Sequence, residues 1–287
     1  MNVKIITDSA ADLPRKEIEE YDIRIIPLNI VRVSDEKLLK DGIDIHPDEL
    51  YKSMREGVRY KTSQISYQEF YDVFREYAEK NEPFIYLGFS SGLSGTYQSS
   101  CLALADLKEK YPNLQAESID TLAVTAGLGM IVGRIGKLAH DGASFQEIVD
   151  ETMKLIPRIH HVFTVTDLNY LYEGGRLSKT SAVVGKMLNI NPIMIINEEG
   201  KIEVVSKQRG QKKTIQKMID YLKENGGDKP GAKIYITNCD NPEYAKILQD
   251  ALEQELTPKE YTTFPMTAII GTHTGPGSLT LHFFDER

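Results

Sequence analysis

Residues 84–100 combine a short apolar strand, a turn rich in glycine and serine, and the start of a helix. The apolar run Phe84–Leu87 leads into Gly88-Phe89-Ser90-Ser91-Gly92-Leu93-Ser94-Gly95-Thr96, and a helical pattern follows. In a parallel α/β sheet, ligands collect where the carboxyl end of a strand feeds a helix N-terminus. Glycine lets backbone approach a ligand closely, and free N–H groups at a helix N-terminus attract anions. We therefore predict that residues 88–96, the serine turn, bind a polar or negatively charged group.

The serine turn lacks the usual signals of nucleotide binding. It has neither the Gly-Lys-Ser/Thr ending of a P-loop nor the Gly-x-Gly-x-x-Gly of a dinucleotide fold. The pattern is compatible with a carboxylate held by hydroxyl groups and backbone N–H groups.

Charge and cysteine content narrow the class of protein further. The net charge of −8 argues against nucleic acid as the main partner. Cys101 and Cys239 have no metal-type spacing, which predicts a reducing compartment, no disulfide framework and no metal site. Because the first residues lack an apolar signal segment and no run has membrane-span length, we expect a cytoplasmic protein without a cofactor.

The order of apolar and polar segments predicts an α/β fold. Strand and helix patterns alternate up to Leu155, which favours a mostly parallel sheet flanked by helices. The pattern changes near residue 157, and beyond it Glu198-Glu199-Gly200 separates two apolar runs as in a hairpin. We therefore predict an N-terminal α/β domain at residues 1–157 and a C-terminal α/β domain with a mixed sheet at 158–287. Residues 23–30 are predicted as one strand, and residues 34–42, 61–64 and 271–277 as loops.

Six motifs, in this order along the chain, resemble those of the DegV family of bacterial fatty-acid-binding proteins, which includes the FakB subunit of fatty acid kinase. Each motif alone is weak, whereas the ordered set is specific, and the resemblance spans essentially the whole chain. The motifs are Thr7-Asp8-Ser9, Thr62-Ser63-Gln64, residues 90–97, Gly174-Gly175-Arg176-Leu177, residues 186–192 and His273-Thr274-Gly275-Pro276-Gly277.

The resemblance implies a two-domain protein that buries one long-chain fatty acid between its domains. Such a protein performs no chemistry itself and presents the carboxyl group to a separate kinase subunit, which forms the acyl phosphate. When the family's motifs are matched to this sequence, the hydroxyl-rich turns and a nearby histidine are expected to hold the carboxyl group. The serine expected to contact the carboxyl group directly is Ser91, followed in order of preference by Ser94 and Ser90. The expected carboxyl-binding residues are Thr62, Ser63, Ser90, Ser91, Gly92, Ser94 and His273.

A basic run at residues 201–217 stands out on this acidic chain. This run contains six lysine and arginine residues and only one acidic residue, Glu203. A solvated helix face explains such a pattern equally well. With the family resemblance in view, we expect a docking surface for the kinase, with transient contact to an anionic membrane, where each cation contributes about 1 kcal/mol. The residues assigned to this surface are Arg176, Lys179, Arg209 and Lys212.

The sequence is also compatible with two other functions. Gly88-Phe89-Ser90-Ser91-Gly92 matches the Gly-x-Ser-x-Gly elbow of serine hydrolases, and Ser90, Asp240 and His273 follow the triad order of that class. Against a hydrolase, no His-Gly-Gly-Gly segment precedes the serine. The second alternative is a lipid carrier or sensor without a kinase partner, which shares every binding residue with the preferred function.

Overall fold

The computed structural model describes residues 3–178, 190–256 and 260–286. The strands are β1 (Lys4–Asp8), β2 (Arg24–Ile26), β3 (Asn29–Arg32), β4 (Lys37–Lys40), β5 (Tyr60–Ser63), β6 (Phe84–Gly88), β7 (Ala116–Asp120), β8 (Ile159–Thr164), β9 (Ile190–Ile196), β10 (Ile202–Arg209), β11 (Lys233–Asn238), β12 (Glu260–Pro265) and β13 (Leu279–Phe284). The helices are α1 (Arg15–Glu20), α2 (Pro47–Arg55), α3 (Tyr67–Ala78), α4 (Thr96–Lys110), α5 (Thr125–His140), α6 (Phe145–Leu155), α7 (Asn169–Glu173), α8 (Gln211–Glu224), α9 (Pro242–Glu255) and α10 (Ala268–Thr274).

A four-stranded parallel sheet in the order β2-β1-β6-β7 forms the first layer of the fold. Successive side chains of a strand point to opposite faces, so β6 contributes to two separate cores. Phe84 and Tyr86 pack with the aromatic residues of α3 on one face. Ile85 and Leu87 pack with the apolar residues of α5 on the other. Because both faces are covered, β6 is apolar and buried along its whole length, as predicted.

A six-stranded mixed sheet in the order β10-β9-β8-β13-β11-β12 forms the second layer. The predicted hairpin is present as β9 and β10, which pair antiparallel on either side of the turn at residues 197–200. Helices α8 and α9 bury one face of this sheet. The combination of a parallel and a mixed sheet confirms the predicted fold class, while the domain division at residues 157 and 158 stays a prediction.

A third, three-stranded sheet in the order β4-β3-β5 corrects three local predictions. The predicted strand at residues 23–30 is two strands, β2 in the parallel sheet and β3 in this one. The predicted loops at residues 34–42 and 61–64 contain β4 and β5. These strands have exposed positions, such as Leu38 and Lys61, and their polar composition therefore looked like loop sequence. Backbone pairing with β3, rather than apolar content, makes them strands.

The first four residues of the predicted loop at residues 271–277 are helical. Helix α10 runs from Ala268 to Thr274 and ends at Gly275. The sequence Gly-Thr-His-Thr has low intrinsic helix propensity, and the prediction was therefore wrong. Burial of Ile269 and Ile270 against α2 and the three-stranded sheet stabilises the helix. Across the described ranges, no helix has the length and apolar character needed to cross a membrane.

Candidate ligand-binding site

A largely apolar cavity lies where the serine turn, α10 and β5 meet the six-stranded sheet. Its walls come from distant parts of the chain and include Leu28, Val124, Phe163, Leu171, Ile196 and Ile270. Most of these side chains are buried, and Ile196 and Ile202 line the cavity from the two strands of the hairpin. Such walls match an apolar ligand, because burying hydrocarbon contributes roughly 25 cal/mol per Å².

One group of polar side chains lines the cavity around Thr62 and His273. The Thr62 Oγ1 atom lies 2.7 Å from the His273 Nε2 atom, which joins β5 to the last turn of α10. Burial and the charge of Arg176 lower the pKa of His273 to about 3. The ring is therefore neutral at physiological pH, so it takes part in hydrogen bonding without carrying a charge. Ser63, Gln64 and Ser94 also line this part of the cavity.

Gly174, which directly follows α7, provides the space that His273 occupies. A Cβ atom on this residue would lie 2.3 Å from His273 Nδ1 and 3.0 Å from the Tyr170 carbonyl oxygen. The backbone φ of −71° is open to any residue, so the need for glycine is purely steric. The Gly-Gly-Arg motif therefore has two roles: it follows the end of α7, and its first glycine leaves the space that the His273 ring occupies.

Arg176 lies at the same polar group, where the sequence analysis had expected only a docking residue. Its side chain lines the cavity half-buried, and its Nε atom donates to the Leu93 carbonyl oxygen at 3.1 Å. A second bond goes to the Gly174 carbonyl. Burial lowers the pKa of the guanidinium from its ordinary value. Within the described ranges no carboxylate pairs with it, so a positive charge faces the cavity without a counter-ion.

Of the three serines in the serine turn, only Ser94 is among the residues that line the cavity, together with Phe89, Leu93 and Thr96 of the same turn. Ser94 lines it, and its Oγ atom lies 2.8 Å from Thr96 Oγ1. Ser90 is fully buried; its hydroxyl donates to the Gly200 carbonyl at 2.7 Å and accepts from the Gly92 N–H at 3.2 Å. Ser91 donates its backbone N–H to Asp120. Neither Ser90, Ser91 nor Gly92 is among the lining residues.

Close packing against the β9–β10 turn explains the glycine at position 92. A Cβ atom there would lie 2.6 Å from the Glu199 carbonyl oxygen and 2.8 Å from that of Gly200. The serine turn and the hairpin turn are therefore in backbone contact, and the Ser90 hydroxyl bonds across that contact. Ser90 and Gly92, which the sequence analysis predicted to bind the ligand, therefore hold the serine turn against the hairpin turn.

We expect Ser90→Ala to lower the free energy of unfolding by about 1–3 kcal/mol, because a buried carbonyl and a backbone N–H lose their shared partner. Urea denaturation measures this change. Ser91→Ala is the matched control and is expected to stay within about 0.5 kcal/mol of the unmodified protein. Equal stability of the two variants would contradict the bridging role of Ser90.

A second polar group, which was absent from the predicted site, lines the cavity from α5 and β13. It consists of Thr125, Thr280 and His282, and His282 Nδ1 lies 3.0 Å from Nδ1 of the buried His161. His282 Nε2 contacts Thr280 Oγ1 at 2.8 Å. Burial lowers the pKa of His282 to about 3 and that of His161 well below its ordinary value. This wall is therefore uncharged, which suits an apolar neighbour.

The three residues of the alternative hydrolase triad are not brought together. Asp240 pairs with Arg55 at 2.6 Å. The Ser90 hydroxyl donates to a backbone carbonyl, and His273 pairs with Thr62. Among the described residues the serine therefore has no histidine base, which removes the geometric basis of that alternative.

The predicted docking residues occupy different surroundings. Arg209 ends β10 and Lys212 lies in the first turn of α8, and both are exposed. Arg176 faces the cavity. Lys179 lies outside the described residues, as do residues 186–189 of the fifth motif.

Parallel and mixed sheets around an apolar cavity with a polar group on its wall define an α/β protein suited to burying an amphipathic ligand. The sequence matches the family described as uncharacterised proteins of the DegV family over residues 2–286, and the chain belongs to this family. This confirms the resemblance found in the sequence.

Individual relatives agree with the family assignment. The chain is 38% identical over 285 residues to a DegV domain-containing protein of Caldanaerobacter subterraneus, covering 99% of both chains. It resembles a fatty-acid-binding DegV family protein of Thermus thermophilus at a TM-score of 0.89 and 28% identity, covering 99% of this chain and 100% of that one. The Streptococcus pneumoniae Fatty Acid Kinase B3 protein, loaded with linoleic acid, shares the fold at a TM-score of 0.87 and 23% identity over the full length of both chains.

Proposed function

We propose that this chain binds one long-chain fatty acid, with the acyl chain in the apolar cavity and the carboxyl group at the Thr62–His273 pair. The observation that carries this proposal is the continuity of one apolar cavity with that polar group. Each buried methylene contributes roughly 0.8 kcal/mol, so the walls supply most of the binding free energy. The carboxyl group needs hydrogen-bond partners, since burial without them costs several kcal/mol.

The head-group partners in this proposal are Thr62, Ser94, Arg176 and His273. Ser94 is favoured over Ser91 and Ser90 because it alone of the three lines the cavity. Ser63 also lines the cavity, whereas Gly92 contributes through packing. Arg176 supplies the positive charge that a carboxylate at this position requires, and its half-buried position strengthens that interaction relative to a solvent-exposed pair.

We further propose that the bound acid is presented to a separate kinase in the cytoplasm and that this chain performs no chemistry itself. The ordered motifs support this, and so does the absence of an assembled triad among the described residues. The acid would lie between units at residues 1–157 and 158–287. Arg209 and Lys212, exposed near the end of β10, are the proposed kinase contacts, with transient contact to an anionic membrane.

Mass spectrometry under native conditions, followed by organic extraction, tests the binding proposal. One fatty acid per chain is the expected result. A protein that is empty and also takes up no added fatty acid would overturn the proposal. Affinity capture with the loaded protein then separates the kinase-linked function from a carrier or sensor: an ATP-dependent partner that converts the bound acid to its acyl phosphate is expected, and its absence would favour the carrier.

We expect Thr62→Ala to weaken fatty-acid binding by about 1–3 kcal/mol, or about fivefold to 150-fold, because a buried polar group loses its partner. Ser91→Ala, in a residue that does not line the cavity, should leave affinity within about twofold. Isothermal titration with delipidated protein measures both. A loss in Ser91→Ala with none in Thr62→Ala would reverse the assignment of the head-group site.

A further inference from the structure

The six-stranded sheet turns buried polar side chains toward the cavity. Alternate residues of β13 point to opposite faces, so Leu281 and Phe283 pack into the core beneath α8 and α9, while Thr280 and His282 line the cavity. All six residues of β13 are buried, so these two polar side chains are not there to contact solvent. Thr125, the first residue of α5, joins them on the cavity wall and completes the second polar group.

Hydrogen bonding within this group leaves one imidazole nitrogen unused. His282 Nδ1 lies 3.0 Å from His161 Nδ1, and both rings are neutral because burial lowers their pKa values. Each neutral ring carries one N–H, so one ring donates through Nδ1 and the other carries its proton on Nε2. His161 Nε2 is buried without a hydrogen-bond partner among the described residues. Since a buried N–H without a partner is rarer than a bare acceptor, we assign the donating Nδ1–H to His161 and an Nε2–H to His282.

His282 therefore presents an N–H donor on the cavity wall beside two hydroxyl groups. Its Nε2 atom lies 2.8 Å from Thr280 Oγ1 and 3.4 Å from Thr125 Oγ1. The second distance exceeds the range of about 2.7–3.2 Å that is typical of N–H···O hydrogen bonds. Thr125 and His282 are thus neighbours without a good bond between them, and one further oxygen atom can bond to both.

Three features of this group lower the stability of the fold around it. Thr125 has a backbone φ of +45°, which is rare for a β-branched residue. Gly127 lies within α5, where glycine lowers helix stability, and a Cβ atom there would lie 2.5 Å from His161 Nδ1. The third feature is the unpartnered His161 Nε2. A wall of aliphatic side chains would need none of the three, and departures of this kind concentrate at functional sites.

A hydroxyl group on the ligand matches the chemistry of the second polar group. A hydroxyl group has one donor and two acceptor lone pairs, so it can accept from His282 Nε2–H and donate to Thr125 Oγ1. A charged group does not match, because the three side chains are neutral and burial of an unpaired ion is costly. An unsubstituted methylene group would leave the polar atoms of the wall without a new partner.

We propose that the second polar group is a subsite for a hydroxyl group on the acyl chain, so that this protein selects a hydroxylated long-chain fatty acid through His282 and Thr125. This rests on the proposed function, in which the carboxyl group lies at the Thr62–His273 pair. The two polar groups are fixed on different elements of the fold, so the hydroxyl group has to stand at one position along the acyl chain. At other positions it would face apolar side chains such as Phe163.

Positional isomers of monohydroxystearic acid test the proposal, with stearic acid as the reference ligand. Isothermal titration on delipidated full-length protein measures the affinity for each acid. Most isomers are expected to bind about fivefold to 150-fold more weakly than stearate, because a buried hydroxyl group loses its hydrogen bonds to water. The isomer whose hydroxyl group reaches His282 is expected to bind within about twofold of stearate or more tightly.

Substitution of His282 separates the subsite from the rest of the cavity. His282→Leu is expected to weaken binding of the preferred isomer by about fivefold or more and to leave stearate within about twofold. His282→Gln keeps an N–H donor in a side chain of similar reach, so the preference should be retained. His46→Leu, at an exposed histidine that precedes α2 outside the cavity, is the matched control and should change neither affinity. Thermal unfolding verifies that each variant is folded.

A spectroscopic readout on the unmodified protein does not depend on the folding of any variant. The nuclear magnetic resonance signals of the His282 ring nitrogens are expected to differ between the stearate complex and the complex with the preferred isomer. Those of His46 should be the same in both. Identical His282 signals in the two complexes would overturn the proposal.

The titrations distinguish this proposal from the proposed function. Failure of the unmodified protein to bind stearate would refute fatty-acid binding itself. Stearate binding with every hydroxylated isomer weaker by about fivefold or more would overturn only the subsite. A preference for one isomer that persists in folded His282→Leu protein would also overturn the subsite.

Discussion

Shortening the fatty acid from sixteen carbons to ten is expected to weaken binding by about 5 kcal/mol, or about three orders of magnitude. The reason is that six methylene groups, each contributing roughly 0.8 kcal/mol, no longer contact the apolar walls. Those walls are formed by apolar residues such as Phe163, Leu171 and Ile270. Competition titrations with saturated acids of eight to eighteen carbons measure the slope directly.

An alcohol of the same chain length provides the control for this series of acids. Hexadecanol has the acyl length of palmitate without the carboxylate, so it should retain the chain-length contribution while losing the interaction with Arg176. A slope below about twofold per methylene across the whole series would be incompatible with an acyl chain in this cavity, for which roughly fourfold is expected. The length at which affinity stops rising marks the end of the cavity.

Gly174→Ala is expected to weaken fatty-acid binding by about tenfold to a hundredfold, with little change in the fold around it. The added Cβ atom would meet His273 Nδ1 at 2.3 Å, so the ring has to shift. The shift breaks the 2.7 Å contact between His273 Nε2 and Thr62 Oγ1 and disorders the head-group site. Titration of palmitate and circular dichroism measure affinity and folding on the same sample.

Gly175→Ala provides the matched control one residue further on. A Cβ atom there meets nothing within 4 Å, but the backbone φ is +73°, a conformation that costs a residue with a Cβ roughly 1–2 kcal/mol. We therefore expect Gly175→Ala to lose stability and keep its affinity, and Gly174→Ala to show the converse. If both glycines behaved alike in the titration, steric support of His273 could not be the reason for glycine at position 174.

The sequence alone was sufficient for elements whose signals are local. Strands β1, β6 and β7, the helices between them and the β9–β10 hairpin were predicted from the alternation of apolar and polar segments and from turn residues. The position of the serine turn at the end of β6 followed from the same patterns. Strands β4 and β5 and helix α10 were missed because their polar residues have weak intrinsic preferences, and pairing or burial against distant segments decides their conformation.

The candidate site shows the same division. The sequence identified Thr62 and His273, and the structure brings them into contact across 211 positions. It also identified Ser90 as a ligand residue, whereas the structure pairs its hydroxyl with Gly200, 110 positions away. Arg176 was assigned to the surface because nothing local to Gly-Gly-Arg shows which side chains face a cavity. Motifs record the residue types that a site needs, but which of them line it depends on the packing of segments remote in sequence.

The sequence by itself therefore determined the fold class, the family and the chemical character of the site, because these depend on local patterns and ordered motifs. Only the tertiary structure decided that Ser94 rather than Ser91 lines the cavity and that Arg176 faces it. These distinctions arise where β5, α10 and the two sheets pack together, and no local pattern specifies such contacts.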